Sequence, residues 1–276
     1  MSAYLGPVGM LTRLKCASQL TIDDADPVTY SESLGRIRYA QVHAPGRTLR
    51  SWQVQLSDGT PTEMVSYVDQ LSRGLAGPGP WVYYSETAAA SNILTPQESA
   101  APPSYTGQMG GGSVAVRDRS VPDWDGRVLS TVTQTSSSLV PVGGRVPVPD
   151  ATPLTASAYL TAQAGVSPRL VLREYDPQGT MLNEHRVTGP TDAGLHRVHL
   201  TITTDPRTVT VQLATSGALR TAAPAISLTD RLVPWTRGQG CRAAMVSRLA
   251  ESVTLAAPGE PNGTLSAFSF TITEVG

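Results

Sequence analysis

Strict alternation of apolar and polar side chains recurs along this chain and limits what it can fold into. Trp52, Val54 and Leu56 alternate with Gln53 and Gln55. Val198, Leu200 and Ile202 alternate with His199, Thr201 and Thr203, and Val209, Val211 and Leu213 with Thr210 and Gln212. Phe268, Phe270 and Ile272 alternate with Ser269, Thr271 and Thr273. Successive side chains of a strand point to opposite faces, so each run is a strand with one buried and one wet face. The 25 Gly and 22 Pro supply many turns between them. Short strands at this spacing predict a mainly β protein of the sandwich or jelly-roll kind. The runs 198–202 and 209–213 flank the turn Asp205-Pro206-Arg207 and predict a hairpin.

One segment breaks the pattern. Thr60-Pro61-Thr62-Glu63 combines an N-cap, a first-position proline and the glutamate of a capping box. Met64, Val68, Leu71 and Leu75 follow at helical spacing, and Gly74 or Gly77 with Pro78 ends the pattern. The expectation is one helix over 61–75, with Ser57-Asp58-Gly59 stopping the strand before it. Trp81-Val82-Tyr83-Tyr84 reads as an aromatic strand. From 88 to 112 the chain turns rich in Ala, Pro, Ser and Gly, the texture of a crossing between folded units. Tyr159-Leu160-Thr161, the run 170–175 and the turn Asp176-Pro177-Gln178-Gly179 continue the β pattern beyond it.

A length of 276 residues accommodates one large or two ordinary domains. The formal net charge of −1 offers no general basic field for nucleic acid. No run approaches the roughly 20 apolar residues that span a bilayer, and no secretory leader is evident. Two cysteines, Cys16 and Cys241, make no disulfide framework and read as buried thiols in a reducing compartment. Lys15 is the only lysine, so the cations are nearly all arginine, which suits forked pairing at interfaces.

Catalytic signatures are missing. There is no Gly-x-Ser-x-Gly elbow and no phosphate-cradling loop. His43 and His185 are isolated. His196 and His199 sit three apart on a predicted strand and so face opposite ways, which argues against a shared metal. Asp123-Trp124-Asp125-Gly126 resembles a fragment of a calcium loop without its remaining ligands and reads as a polar turn. Asn262-Gly263-Thr264 has the form of a glycosylation acceptor and reads as a turn. No catalytic, cofactor or metal site is assigned. Trp124, Tyr159 and Tyr175 are the candidate glycan-binding aromatics, because a flat ring buries the apolar face of a sugar. Core packing is the plainer role for aromatics in a sandwich.

Several segments resemble the distal tail protein among the minor tail proteins of long-tailed bacteriophages of actinobacterial hosts. Trp81-Val82-Tyr83-Tyr84 leading to Asn92-Ile93-Leu94-Thr95-Pro96 resembles that family's passage into an insertion. Pro234-Trp235-x-x-Gly238-x-Gly240-Cys241 resembles the return, and Phe268-x-Phe270-x-Ile272-x-Glu274-Val275-Gly276 the ending. The resemblance implies a discontinuous β-sandwich-type outer domain of residues 1–95 and 233–276 with one α-helix. It implies an inserted jelly-roll β-sandwich, similar to a carbohydrate-binding module, over 96–232. It implies a non-enzymatic part of the tail tip, a hexameric ring joining the tail tube to the baseplate. The implied partners are further copies of itself, the tail tube protein and other tail-tip proteins, with no nucleic acid and no membrane insertion. The location implied is the virion, after assembly in the host cytoplasm. The alternative is a receptor-binding module for a host cell-wall glycan.

Overall fold

The computed structural model describes residues 2–14, 17–25, 28–32, 38–42, 49–100, 114–117, 130–133, 139–256 and 264–275. The protein is mainly β, with several antiparallel sheets. In chain order the elements are β1 (Ala3–Gly6), β2 (Thr12–Leu14), β3 (Ala17–Ala25), β4 (Val28–Glu32), β5 (Arg38–Val42), β6 (Leu49–Pro61), α1 (Thr62–Ser72), β7 (Trp81–Tyr84), α2 (Glu86–Ser91) and α3 (Pro96–Ala100). They continue as β8 (Val114–Arg117), β9 (Ser130–Thr133), β10 (Val140–Pro141), β11 (Val146–Pro147), β12 (Pro153–Ala162), β13 (Arg169–Tyr175), β14 (Met181–Thr188), β15 (His196–Thr203), β16 (Thr210–Ser216), β17 (Ala218–Ser227), β18 (Cys241–Ala256) and β19 (Thr264–Glu274). The chain divides into two compact units. One comprises Met1–Arg13 with Val82–Arg242, the other Leu14–Trp81 with Ala243–Gly276.

In the second unit the last strand of the chain is central. β19 lies between β18 and β6, and β3 flanks β6. Its register sets Phe268 opposite Leu56, Phe270 opposite Val54 and Ile272 opposite Trp52. All six side chains are buried, while Gln53 and Gln55 are exposed, as the alternation predicts. Directly opposed apolar pairs are the stabilising unit of such a sheet. The Phe268 and Phe270 rings lie 5.5 Å apart. A forked ion pair closes the end of the ladder: Arg50 Nε and Nη2 donate to Glu274 Oε2 and Oε1 at 2.9 and 3.1 Å. Thus the amino-terminal and carboxy-terminal segments share one sheet.

Helix α1 packs on β6 and β19 through Val65, Val68 and Leu71. It ends as its sequence foretells. Gly74 adopts φ +69°, its N–H donates to the Leu71 carbonyl, and the Leu75 N–H donates to the Gln70 carbonyl. That pair of bonds is the Schellman arrangement, which needs a left-handed residue best supplied by glycine. Its start differs from expectation. Ser57-Asp58-Gly59 does not stop the strand; β6 runs on to Pro61, and Thr60 pairs with Ser266. The helix therefore begins at Thr62. Leu75 is 73% exposed and lies beyond the stripe.

The first unit contains a two-sheet sandwich. One sheet orders β10, β16, β13, β14, with β11 also on β16; the other orders β15, β12, β17, β9, β8. Leu154, Ala156, Ala158 and Leu160 of β12, with Val198 and Leu200 of β15, face Leu170, Leu172, Val211 and Leu213 across one core. The expected hairpin between 198–202 and 209–213 does not form. β15 pairs with β12 and β16 with β13, so the turn at Asp205 carries the chain from one sheet to the other. Alternation says which face is buried, not which strand is the neighbour. The segment 88–100, read as a crossing, is folded: α2 and α3 form there, and Ala88, Ile93 and Leu94 join the sandwich core. Val82 and Tyr84 of β7 join it too, and β7 pairs with β1. The rest of the expected crossing, 101–112, lies outside the described residues.

Candidate functional site

The candidate aromatics separate onto different surfaces. With even-numbered β12 residues in the core, Thr155, Ser157 and Tyr159 point to the outer face of their sheet. They are nonetheless buried, because the chain after β17 folds over them. Thr155 Oγ1 donates to the Thr229 carbonyl at 2.8 Å. Tyr159 packs with Ala222 and Ala223, and Leu195 and Trp235 close on that group. Trp235 Nε1 is anchored to the Pro224 carbonyl at 3.2 Å. The Arg197 guanidinium stands 6.0 Å from the Tyr159 ring and donates to Ser157 Oγ at 3.1 Å. Burial holds the Tyr159 phenol above its usual range, against the pull of Arg197, and burial lowers Arg197 itself.

Tyr175 lies on the outer face of the other sheet, in line with Arg169, Val171 and Arg173 of β13. The Arg145 guanidinium covers its ring at 3.8 Å from the centroid, a cation–π stack. Its hydroxyl donates to Gln212 Oε1 at 3.2 Å. Arg173 Nε donates to Glu184 Oε2 at 2.6 Å, and Arg186 holds the same carboxylate. The Arg173 hydrogen bond is the main cause that keeps Glu184 below the usual carboxylate range; burial opposes it and Arg186 adds to it. Tyr159 and Tyr175 are each 7% exposed. They form no shared platform, and each ring is covered by neighbouring side chains. Trp124 lies outside the described residues.

Inside the same sheet sits a buried carboxylate that the sequence did not advertise. Glu174 follows Leu170 and Leu172 on the inward face and is 1% exposed. It accepts from Thr208 Oγ1 at 2.5 Å and the Asp205 N–H at 2.8 Å on one oxygen. On the other it meets His185 Nε2 at 2.6 Å and Asn183 Nδ2 at 3.3 Å. Burial pushes its pKa up, but the hydrogen bonds together outweigh burial and hold it below the usual value. Glu174 thus locks the 204–208 turn to the β13–β14 ladder.

Two of the segments that carried the family resemblance, 92–96 and 234–241, meet. Asn92 is fully buried, and all four of its side-chain hydrogen-bonding positions are used. Nδ2 donates to the Pro224 and Thr236 carbonyls at 3.3 and 2.9 Å, and Oδ1 accepts from the Leu94 and Ile226 N–H groups at 3.2 Å each. The backbone N–H groups of Gln239 and Gly240 donate to the Asn92 and Leu94 carbonyls. Only glycine permits that approach. A Cβ at Gly240 would lie 2.0 Å from the Ile93 carbonyl oxygen, and one at Gly238 2.2 Å from that of Leu94. Thr95 caps α3 in a reciprocal box: Glu98 N–H donates to Thr95 Oγ1, and Thr95 N–H to Glu98 Oε2. The Glu98 carboxylate also accepts Arg242 Nη2 at 2.6 Å and the Gly144 N–H at 3.3 Å. Thr95-Pro96-x-Glu98 was the readable signal for this corner.

His196 meets Asp192 Oδ1 at 2.5 Å, and among the described residues no three metal-ligating side chains cluster. Cys241 is buried, and Cys16 and His43 lie outside the described residues.

No protein-family model matches the sequence, and no curated protein matches it. Solved structures do. The enzymatically active domain of tailspike protein 4 of bacteriophage CBA120 is similar over 50% of this chain and 21% of its own, at 9% identity and a TM-score of 0.40. A family 16 carbohydrate-binding module is similar over 45% of this chain and 87% of its own, at 11% identity and a TM-score of 0.31. The Clostridium thermocellum xylanase 10B modules CBM22-1 and GH10, complexed with xylohexaose, are similar over 47% of this chain and 27% of their own, at 9% identity and a TM-score of 0.34. The chain therefore spans well under half the length of the tailspike and xylanase chains.

Proposed function

We propose that this chain is a structural, non-enzymatic component of a bacteriophage tail tip, assembled in the host cytoplasm as a closed ring that joins the tail tube to the baseplate. The observation that carries the proposal is the ladder of β19 on β6. A sheet that needs strands from both ends of the chain matches the discontinuous outer domain of the distal tail proteins that the sequence resembles. The pairing of the 92–96 and 234–241 segments supports it as well, since these are the segments whose sequence resembles that family's passage and return. Function on this proposal is assembly. Copies bury strand edges against one another, and many weak contacts act together around a closed ring.

Electron cryomicroscopy of intact particles tests this. The expected result is density for this 29.1 kDa chain in a sixfold ring on the tail axis, between tube and baseplate. Single copies on the particle surface, away from the axis, would overturn it.

A further inference from the structure

The outer face of the β14–β13–β16 sheet carries a charge that its packing does not require. Register fixes its rows. Arg169 stands between Thr188 and Ser216, Val171 between Arg186 and Ala214, and Arg173 between Glu184 and Gln212. Arg145 completes the face above Tyr175. Four arginines and one carboxylate, Glu184, thus share this face, on a chain whose formal net charge is −1. Glu184 is already shared by Arg173 and Arg186, so the face keeps an excess of positive charge. Arg169 and Arg186 are exposed, and no ion pair to Arg169 occurs among the described residues. Residues two apart on a strand advance by roughly 7 Å, so Arg169 and Arg173 mark out a track of about 14 Å.

We infer that this face binds a polysaccharide bearing carboxylate groups. The guanidinium fork matches a carboxylate in plane, and it stays charged at every relevant pH. The Arg173–Glu184–Arg186 group displays, inside the protein, how this surface holds such an anion. Gln212, Thr188 and Ser216 place neutral hydrogen-bonding groups beside the cations, as sugar hydroxyls require. A single-stranded nucleic acid would need rings on which its bases stack, and the tyrosine here lies beneath Arg145. The proposal stands apart from the ring: its failure would leave the tail-tip assembly untouched, and the reverse holds too.

Titration calorimetry on the full chain tests it, with polygalacturonate as ligand and uncharged dextran and inorganic polyphosphate as the other arms. Polygalacturonate binds at low salt, and its affinity falls at least about tenfold at several times that ionic strength, because exposed charges are screened. Arg169→Gln with Arg186→Gln lowers affinity at least about tenfold, and Arg186→Lys lowers it less because charge survives without the fork. Arg220→Gln, an exposed change on the other sheet, leaves it unchanged. Should the double variant unfold more easily than the parent, Arg169→Gln alone carries the test with a loss of about threefold. No binding of polygalacturonate, equal binding of dextran, tighter binding of polyphosphate, or full affinity in the arginine variants would each overturn the proposal.

Discussion

The sheet of the Leu14–Trp81 and Ala243–Gly276 unit and the sandwich of the Val82–Arg242 unit stabilise their interiors by different means. The first relies on apolar pairs set opposite one another: Leu56 with Phe268, Val54 with Phe270, Trp52 with Ile272. The second has an apolar core as well, but buries the side chains of Asn92, Glu98 and Glu174 at its corners, each tied to segments far away in sequence. Apolar burial is roughly proportional to area and indifferent to direction, so one hydrophobe can stand for another of similar volume. A buried polar group leaves its partners unsatisfied when it is removed. Substitutions that preserve volume should therefore be mild in the sheet and severe at the sandwich corners.

The sharpest form of that contrast is Asn92→Leu against Phe270→Leu. Asn92→Leu strands two carbonyls and two N–H groups in a fully buried site. At about 1–3 kcal/mol for each unsatisfied group, partly relieved by relaxation, a loss of about 4 kcal/mol is expected. Phe270→Leu stays apolar and costs about 1.5 kcal/mol. Urea unfolding of the two variants decides the order, and equal losses would break the comparison.

Glu174→Gln is the next step down. The amide keeps the shape but turns a donor toward donors, so the loss is about 2 kcal/mol at neutral pH, within the range for hydrogen bonds to a charged group. The pH dependence has a definite sign. The folded state holds Glu174 below its usual pKa, so the unfolded chain takes up this proton first as pH falls. The stabilisation is complete above the unfolded glutamate value of about 4.3 and is lost as pH drops through the lower folded value. The gap between parent and Glu174→Gln unfolding should therefore close below about pH 4. A gap that widens there would assign the site the opposite shift.

These differences also mark what the sequence made legible. The alternations at 52–56 and 268–272 gave the buried face correctly because period two is a local property of the strand. The Gly74 stop was readable because the left-handed residue and its bonds lie within six positions. The partner of an alternating run is not local, so 198–202 and 209–213 were wrongly paired with each other. Asn92 and Glu174 are single polar residues whose value depends on partners up to 144 and 34 positions away. The alanine-rich texture of 88–100 hid two short helices for a related reason. Small residues let α2 and the backbone around it pack closely, and composition alone reads them as a linker.

The two Thr-Pro-x-Glu segments give the smallest effect and the cleanest discrimination. Thr60-Pro61-Thr62-Glu63 and Thr95-Pro96-Gln97-Glu98 share one signature, yet the first begins as strand and the second caps a helix. In the first, β19 supplies a neighbouring strand through Pro61, and ladder pairing prevails over the local capping preference. In the second, the Thr95 hydroxyl accepts the Glu98 N–H at 3.2 Å and Glu98 returns a bond to the Thr95 N–H at 3.0 Å. Thr→Val keeps the β-branched shape and deletes only the hydroxyl. Thr95→Val should cost about 1 kcal/mol, the usual worth of an N-cap. Thr60→Val should change stability by less than about 0.5 kcal/mol, because valine suits a strand. Thermal unfolding of the pair reads the difference directly. Were Thr60→Val the costlier change, the capping box would belong at the first site, and the continuation of β6 to Pro61 would be wrong.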